Sequence, residues 1–256
     1  MSVNQTPMGG NFDMGRVVKA TFAAAQKHFV TLLVGSIVLT GVPQLISLAG
    51  MGGTSASNPT AMFSSPAYLV GMILTLVGSF MFQGYVIHTV VRGHKGLETS
   101  IPEAFSAAAS KIVPLFILSI LVGLGVAVGM IFLIVPGVIL LVMWSVGVPA
   151  VVVEGASPVQ ALGRSRALTK GSRWAIFGLV IVAVLLSYAI SMAVYGFNFA
   201  AMAAAASTPA SPQLIGSVII STLTSVLYGC GAASVYSELR MIKEGIGNDQ
   251  LASVFE

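Results

Sequence analysis

The sequence predicts an all-α polytopic membrane protein, with six transmembrane helices and an interfacial amphipathic helix before each helical hairpin. Three observations carry this expectation. Charged residues make up 8% of the chain, against roughly 25% in soluble domains, and the mean hydropathy is +0.95. Six apolar runs without a central charge have the length a bilayer core requires, about 17–25 residues each. All twelve Lys and Arg residues fall in alternate segments between those runs.

Residues 1–28 are expected to form a cytoplasmic N-terminus with an interfacial helix, residues 29–243 the six-span membrane domain, and residues 244–256 a cytoplasmic tail. The opening MSVNQTPMGGNFDMGR has no apolar core and no cleavage signature, so the first apolar run is expected to stay as a span. In the segment 11–28, Asp13 or Asn11 can cap a helix. Val18, Phe22, Ala25 and Phe29 recur at 4-3-4 spacing. The first span runs from Phe29 to Leu48, with Pro43 bending its outer end. An uncharged Gly, Ser, Thr and Asn loop over 49–66 leads to the second span, 67–91. Ser100 and Glu103 can form a capping box for a short helix with Ile101, Ala104, Phe105 and Ala108 on its apolar face.

The third span is 112–135 and the fourth 137–153, and Pro136 with Gly137 is expected to make the tight turn between them. A second capped helix follows. Ser157 is the N-cap, Pro158 fits the first turn, Gln160 completes a capping box, and Gly171 is a natural stop. Ala161, Leu162, Ser165 and Leu168 share one face, flanked by Arg164 and Arg166, so this helix is expected to lie in the membrane interface. The fifth span is 174–197. An uncharged Ala, Ser and Pro loop covers 198–212. The sixth span, 213–236, is expected to continue as helix to Lys243 before Gly245 stops it.

The basic residues are confined to the N-terminal segment, the second-to-third loop, the fourth-to-fifth loop and the C-terminal segment. With six spans these lie on one side, which the positive-inside rule makes cytoplasmic, both termini included. KATFAAAQKHF, PEAFSAAASKI and PVQALGRSRALTKGSRW each precede a pair of spans, which suggests a threefold repeat with Phe22, Phe105 and Leu162 in similar places.

Catalytic chemistry is sparse. No span carries Asp, Glu, Lys or Arg at its centre, where an ionisable group would mark function. His28, His88 and His94 are scattered without neighbouring carboxylates, a poor metal set. The single cysteine, Cys230, permits no disulfide within the chain. Nucleophile elbows and phosphate-binding loops are absent from the sequence. No enzyme, cofactor, metal or nucleic-acid partner is therefore expected. Gly125 and Gly129 form a GxxxG pair, extended by Gly123 and Ala127, and Gly229 with Ala233 a small-xxx-small pair. Both suit close helix packing, within the chain or in a homo-oligomer. Glu154 ends the fourth span, where a carboxylate opposes the helix dipole and needs a cation; Arg164, Arg166 and Arg173 are the candidates. Glu154, Arg164, Arg166, Lys170, Arg173 and Trp174 thus form a candidate lipid-headgroup site or a structural clamp. The basic members and Trp174 favour anionic phospholipid.

The runs Pro149–Gly155 (PAVVVEG) and Ser157–Leu179 resemble the glycerophosphoryl diester phosphodiesterase membrane-domain family. So do the ending Tyr236, Leu239, Arg240, Lys243, Glu244, Gly245 and the opening Phe12, Gly15, Val18, Thr21, Phe22. That family is named for proteins whose membrane domain precedes a catalytic barrel, and no residues remain outside the six spans to build one. The resemblance implies a stand-alone bacterial inner-membrane protein without the enzymatic activity and supplies no active site. The expected function is a non-enzymatic scaffold or lipid-interacting module, whose partners are membrane lipids or another membrane protein. The alternative is a transporter or channel for a small or lipid-like substrate. An enzyme working through Glu154 and His88 is a remote third reading.

Overall fold

The structure, a computed structural model, describes residues 12–50, 63–94, 97, 99–195 and 212–245. The described residues are helical with short turns and contain no strand. Six stretches are long and apolar enough to cross a membrane: Phe29–Gly50, Pro66–Gly93, Ile112–Phe132, Ile134–Glu154, Arg173–Met192 and Val218–Glu244. The expected all-α, six-span architecture is what the chain forms. Most of the two expected uncharged loops, 51–62 and 196–211, and the tail from 246 onward lie outside the described residues.

Each hairpin follows a short capped helix. α1 (Met14–Lys27) leads into the first, α5 (Ile101–Ala109) into the second and α9 (Pro158–Thr169) into the third. The caps share one geometry. The side chains of Asp13, Ser100 and Ser157 accept the backbone N–H three residues on, from Arg16 at 3.2 Å and from Glu103 and Gln160 at 3.4 Å each. Only α9 closes the reciprocal capping box, through Gln160. The Glu103 carboxylate turns instead to Arg92. On α1 the buried residues are Val17 and Ala24, while Val18, Phe22 and Phe29 stay exposed. The stripe is therefore only partly covered: Ala25 packs on the core, while Val18, Phe22 and Phe29 keep exposed surface, since in a membrane protein an outward apolar side chain can meet hydrocarbon.

The first span is α2 (Phe29–Ser36), a π-helical turn over Ile37–Gly41, and α3 (Val42–Gly50). Pro43 follows the π-helical turn and has no N–H to offer the Leu39 carbonyl. The wide turn absorbs the defect, with the Val42 N–H reaching back to Ile37. The returning helix α4 (Pro66–His94) then packs backbone to backbone against it. A Cβ added to Gly78 would collide with the Leu39 carbonyl oxygen, one on Gly71 with the Ser47 backbone, and one on Gly50 with the Tyr68 backbone. Buried Tyr85 donates to the Thr31 carbonyl at 2.7 Å.

The second hairpin is α6 (Ile112–Phe132) with α7 (Ile134–Met143) and α8 (Gly147–Glu154). It departs from expectation twice. The reversal falls at Leu133, whose backbone is extended (φ −166°, ψ 148°), and not at Pro136–Gly137. Pro136 instead occupies the first turn of α7, where a missing N–H costs nothing. The fourth span is also broken, at Trp144–Val146. Pro149 accounts for this: within a continuous helix its ring would clash with the Ser145 carbonyl, whereas in the first turn of α8 it is tolerated. α10 (Arg173–Tyr195) and α11 (Pro212–Glu244) complete the bundle, and α11 ends at Gly245 with φ +65°, as expected. α10 stands furthest out, with only 6% of its apolar window buried.

Gly78→Ala should lower the unfolding free energy in detergent by about 1–3 kcal/mol, the usual cost of forcing extra volume into a packed site. Gly123→Ala, where an added Cβ meets nothing within 4 Å, should be neutral or stabilising by up to about 1 kcal/mol. Equal unfolding midpoints for the two variants would refute the close contact.

Candidate functional site

α9 doubles back along α8 and is held there by two buried hydroxyls. Ser165 donates to the Met143 carbonyl at 2.8 Å and accepts the Val146 N–H at 3.3 Å. Thr169 donates to the Ser165 carbonyl at 2.9 Å and approaches that of Met143 at 3.3 Å. These groups lie on either side of the break in the fourth span, and α9 supplies the polar partners the broken helix lacks. Of the expected apolar face of α9, Ala161, Ser165 and Leu168 are buried and Leu162 is half-buried, so most of that face is covered by protein, as is Thr169.

This seating brings Arg164 to Glu154. Its Nε donates to both carboxylate oxygens, at 3.0 and 2.9 Å. Tyr236, from α11, donates its hydroxyl to Glu154 Oε1 at 2.7 Å. Arg164 Nη2 reaches Glu244, whose other oxygen accepts from Arg240 Nε at 2.7 Å. Arg240 closes the circuit, with Nη1 3.4 Å from the Tyr236 hydroxyl and its guanidinium 5.7 Å from the centre of that ring. Five side chains from α8, α9 and α11 thus form a closed ring with two carboxylates and two guanidiniums. Burial disfavours the Arg164 cation, but its hydrogen bonds and charge pairing with Glu154 and Glu244 outweigh this and raise its pKa above the ordinary arginine value. The ring cancels its own charge, so it clamps three helices and offers little to an ionic ligand.

Of the expected partners for Glu154, the structure selects Arg164. Arg166 and Lys170 are exposed, and neither they nor Arg173 makes an ion pair among the described residues. Trp174 is 86% exposed and meets Phe177 edge to face, with centroids 6.1 Å apart. The glycine pairs are filled from within the chain. Gly125 faces the Trp144 indole, Gly129 the Gly137 backbone and Gly229 the Val86 side chain, and Ala233 is fully buried. His28 caps α1 by donating its backbone N–H to Ala24, and burial, then the charge of Lys27, depresses its imidazole pKa. His88 keeps a buried Nδ1 without a partner among the described residues, and the His94 side chain lies outside them. Among the described residues no three His, Cys, Asp or Glu side chains gather to hold a metal ion.

Reading the sequence missed two further ties. Glu238, 5% exposed, accepts from Arg16 Nε at 3.0 Å and Nη2 at 2.8 Å and binds α1 to α11. Arg92 pairs with Glu103 and binds α5 to α4. Each pre-hairpin helix is therefore fastened by an ion pair to the charged end of a span. The scarcity of acidic residues was the available signal, since a carboxylate in so apolar a chain is expensive unless it is paired.

Glu154→Gln and Arg164→Gln should each destabilise the protein by about 1–2 kcal/mol, in line with partly buried charge-assisted hydrogen bonds. Their double mutant should recover on the order of 1 kcal/mol of the summed loss, whereas Arg166→Gln should add independently to Glu154→Gln. Strict additivity for Glu154 and Arg164 would exclude the direct pairing.

No curated protein and no solved structure matches the chain. The model of one family, described as a domain of unknown function (DUF7847), matches residues 62–236, from just before α4 to the tyrosine of the ring. That match covers well over half of the sequence, and the chain belongs to the DUF7847 family.

Proposed function

We propose that the protein is a non-enzymatic membrane scaffold of the bacterial inner membrane that holds anionic phospholipid at its cytoplasmic face. One observation carries the reading: among the described residues the acidic side chains are all engaged, whereas several basic ones are not. Among the described residues Asp13 caps α1, and Glu103, Glu154, Glu238 and Glu244 are all in ion pairs. Arg166, Lys170, Arg173 and Lys243 have no such partner. Arg166 and Lys170 stand one helical turn apart, and Lys243 Nζ approaches Gly171 in the turn that follows α9. This rim lies beside exposed Trp174, a headgroup-depth anchor. Anionic headgroups attract such a rim by about 1 kcal/mol per basic residue near the surface. Arg164, committed to the ring, is not part of it. The resemblance to phosphodiesterase membrane domains agrees with this reading in one respect: Glu154, Arg164, Tyr236, Arg240 and Glu244, five of its residues, are ring members and hence serve architecture.

A second reading, a transporter for a lipid-like substrate, draws on a cavity of about 320 Å³ between α1, α10 and α11. No charged residue lines it, which favours the scaffold over ion-coupled transport.

In native mass spectrometry, replacing Arg166 and Lys170 by Gln should reduce retained phosphatidylglycerol several-fold and leave phosphatidylcholine unchanged. Equal retention would leave these charges with orientation as their only role. The proposed orientation has its own test. Cysteines placed at Ser57 and Ser207 should react with a membrane-impermeant thiol reagent from outside the cell, and one at Ser172 should not. The opposite pattern would reverse the topology.

A further inference from the structure

We infer that the cleft between α1, α10 and α11 binds one acyl chain of a membrane phospholipid, whose headgroup phosphate meets Arg173. The inference deepens the lipid-binding reading and rests on it for the headgroup, but the tail site has a separate test.

The walls are hydrocarbon, with Val17 and Phe22 from α1, Ile176 and Ala183 from α10, and Leu227 and Gly231 from α11. Five hydroxyls reach the cleft, and four are engaged: Thr21, Ser145 and Ser187 donate to carbonyls three or four residues back at 2.8, 2.9 and 2.8 Å, and Ser187 meets the Tyr228 hydroxyl at 3.1 Å. That leaves the Thr224 hydroxyl, and a water beside it would lack the two to four polar partners it requires. The cleft, about 320 Å³, lies against α10 and α11, which are spans, so acyl chains are the hydrocarbon at hand.

Charge complementarity identifies the headgroup end. Arg173 stands one turn before Ile176, the first α10 residue of the lining. It makes no ion pair among the described residues. A guanidinium in that state matches the oxygens of a phosphate. Moving a tail from bulk lipid into the cleft gains little, because both environments are apolar. Retention is therefore set by Arg173 and by the shape of the cleft.

Phosphatidylglycerol carrying a diazirine in its acyl chain, reconstituted with the full-length protein in phosphatidylcholine vesicles, tests the site. Photolysis should label peptides of α10 and α11 that line the cleft. Gly231→Leu should cut that label at least tenfold. Gly231 lies in the lining and an added Cβ there meets nothing within 4 Å, so the leucine side chain enters the cleft from an open position. Gly216→Leu, equally open but outside the lining, should keep the label. Arg173→Gln should abolish the preference for the phosphatidylglycerol probe over its phosphatidylcholine analogue. Undiminished label in Gly231→Leu, or label spread evenly over all six spans, overturns the cleft site whatever the rim does. If Gly231→Leu loses its label while the Arg166 and Lys170 variant keeps its anionic lipid, the cleft stands and the rim reading falls.

Discussion

A bilayer core offers no water to an unpaired backbone group, so each interruption of a spanning helix must be satisfied by the protein itself. Two of the six spans are interrupted, and the rest of the bundle is arranged around those two places. In the first span the π-helical turn before Pro43 is pressed against Gly78, which has no Cβ to hold the helices apart. In the fourth, the break at Trp144–Val146 is capped from outside by Ser165 and Thr169 of α9. The short helix before the third hairpin is thus more than a depth marker, since it completes the hydrogen bonding of a different span.

Once α9 is seated by those hydroxyls, the charged ring follows. Arg164 neighbours Ser165, so fixing one places the other against Glu154. Glu154 opposes the dipole of its own helix, and the arginine with the Tyr236 hydroxyl offsets that cost. Glu244 and Arg240 extend the tie to the last turns of α11. Similar logic recurs at α1 through Glu238 and at α5 through Arg92. All three pre-hairpin helices are thereby locked to spans they do not directly precede in the chain. The ring is neutral, so the unpaired charge lies on basic residues outside it.

The loosest element is α10. Its outward face is largely apolar, and beside it lies the cleft lined by α1 and α11. A bundle held by tight glycine contacts at one side and ion pairs at its charged end leaves this side free to accept lipid, which is where the proposed tail site falls.

Composition and periodicity determined much of this protein by themselves. The span count, the helix before each hairpin, the caps at Asp13, Ser100 and Ser157, and the stop at Gly245 all depend on local chemistry that a short window contains. The partner of Glu154 could be narrowed to three arginines but not chosen, because the choice depends on which face of α9 is buried. The turn at Leu133 and the break before Pro149 were misread for a related reason: a proline signals where a helix cannot continue but not whether it ends a helix or begins one. Tyr236 and Glu244 lie some 80 or more residues from the side chains they bind, and Arg16 lies still further from Glu238. In a chain whose inward and outward faces are almost equally apolar, only the packed tertiary structure decides which face turns inward and which distant charges meet.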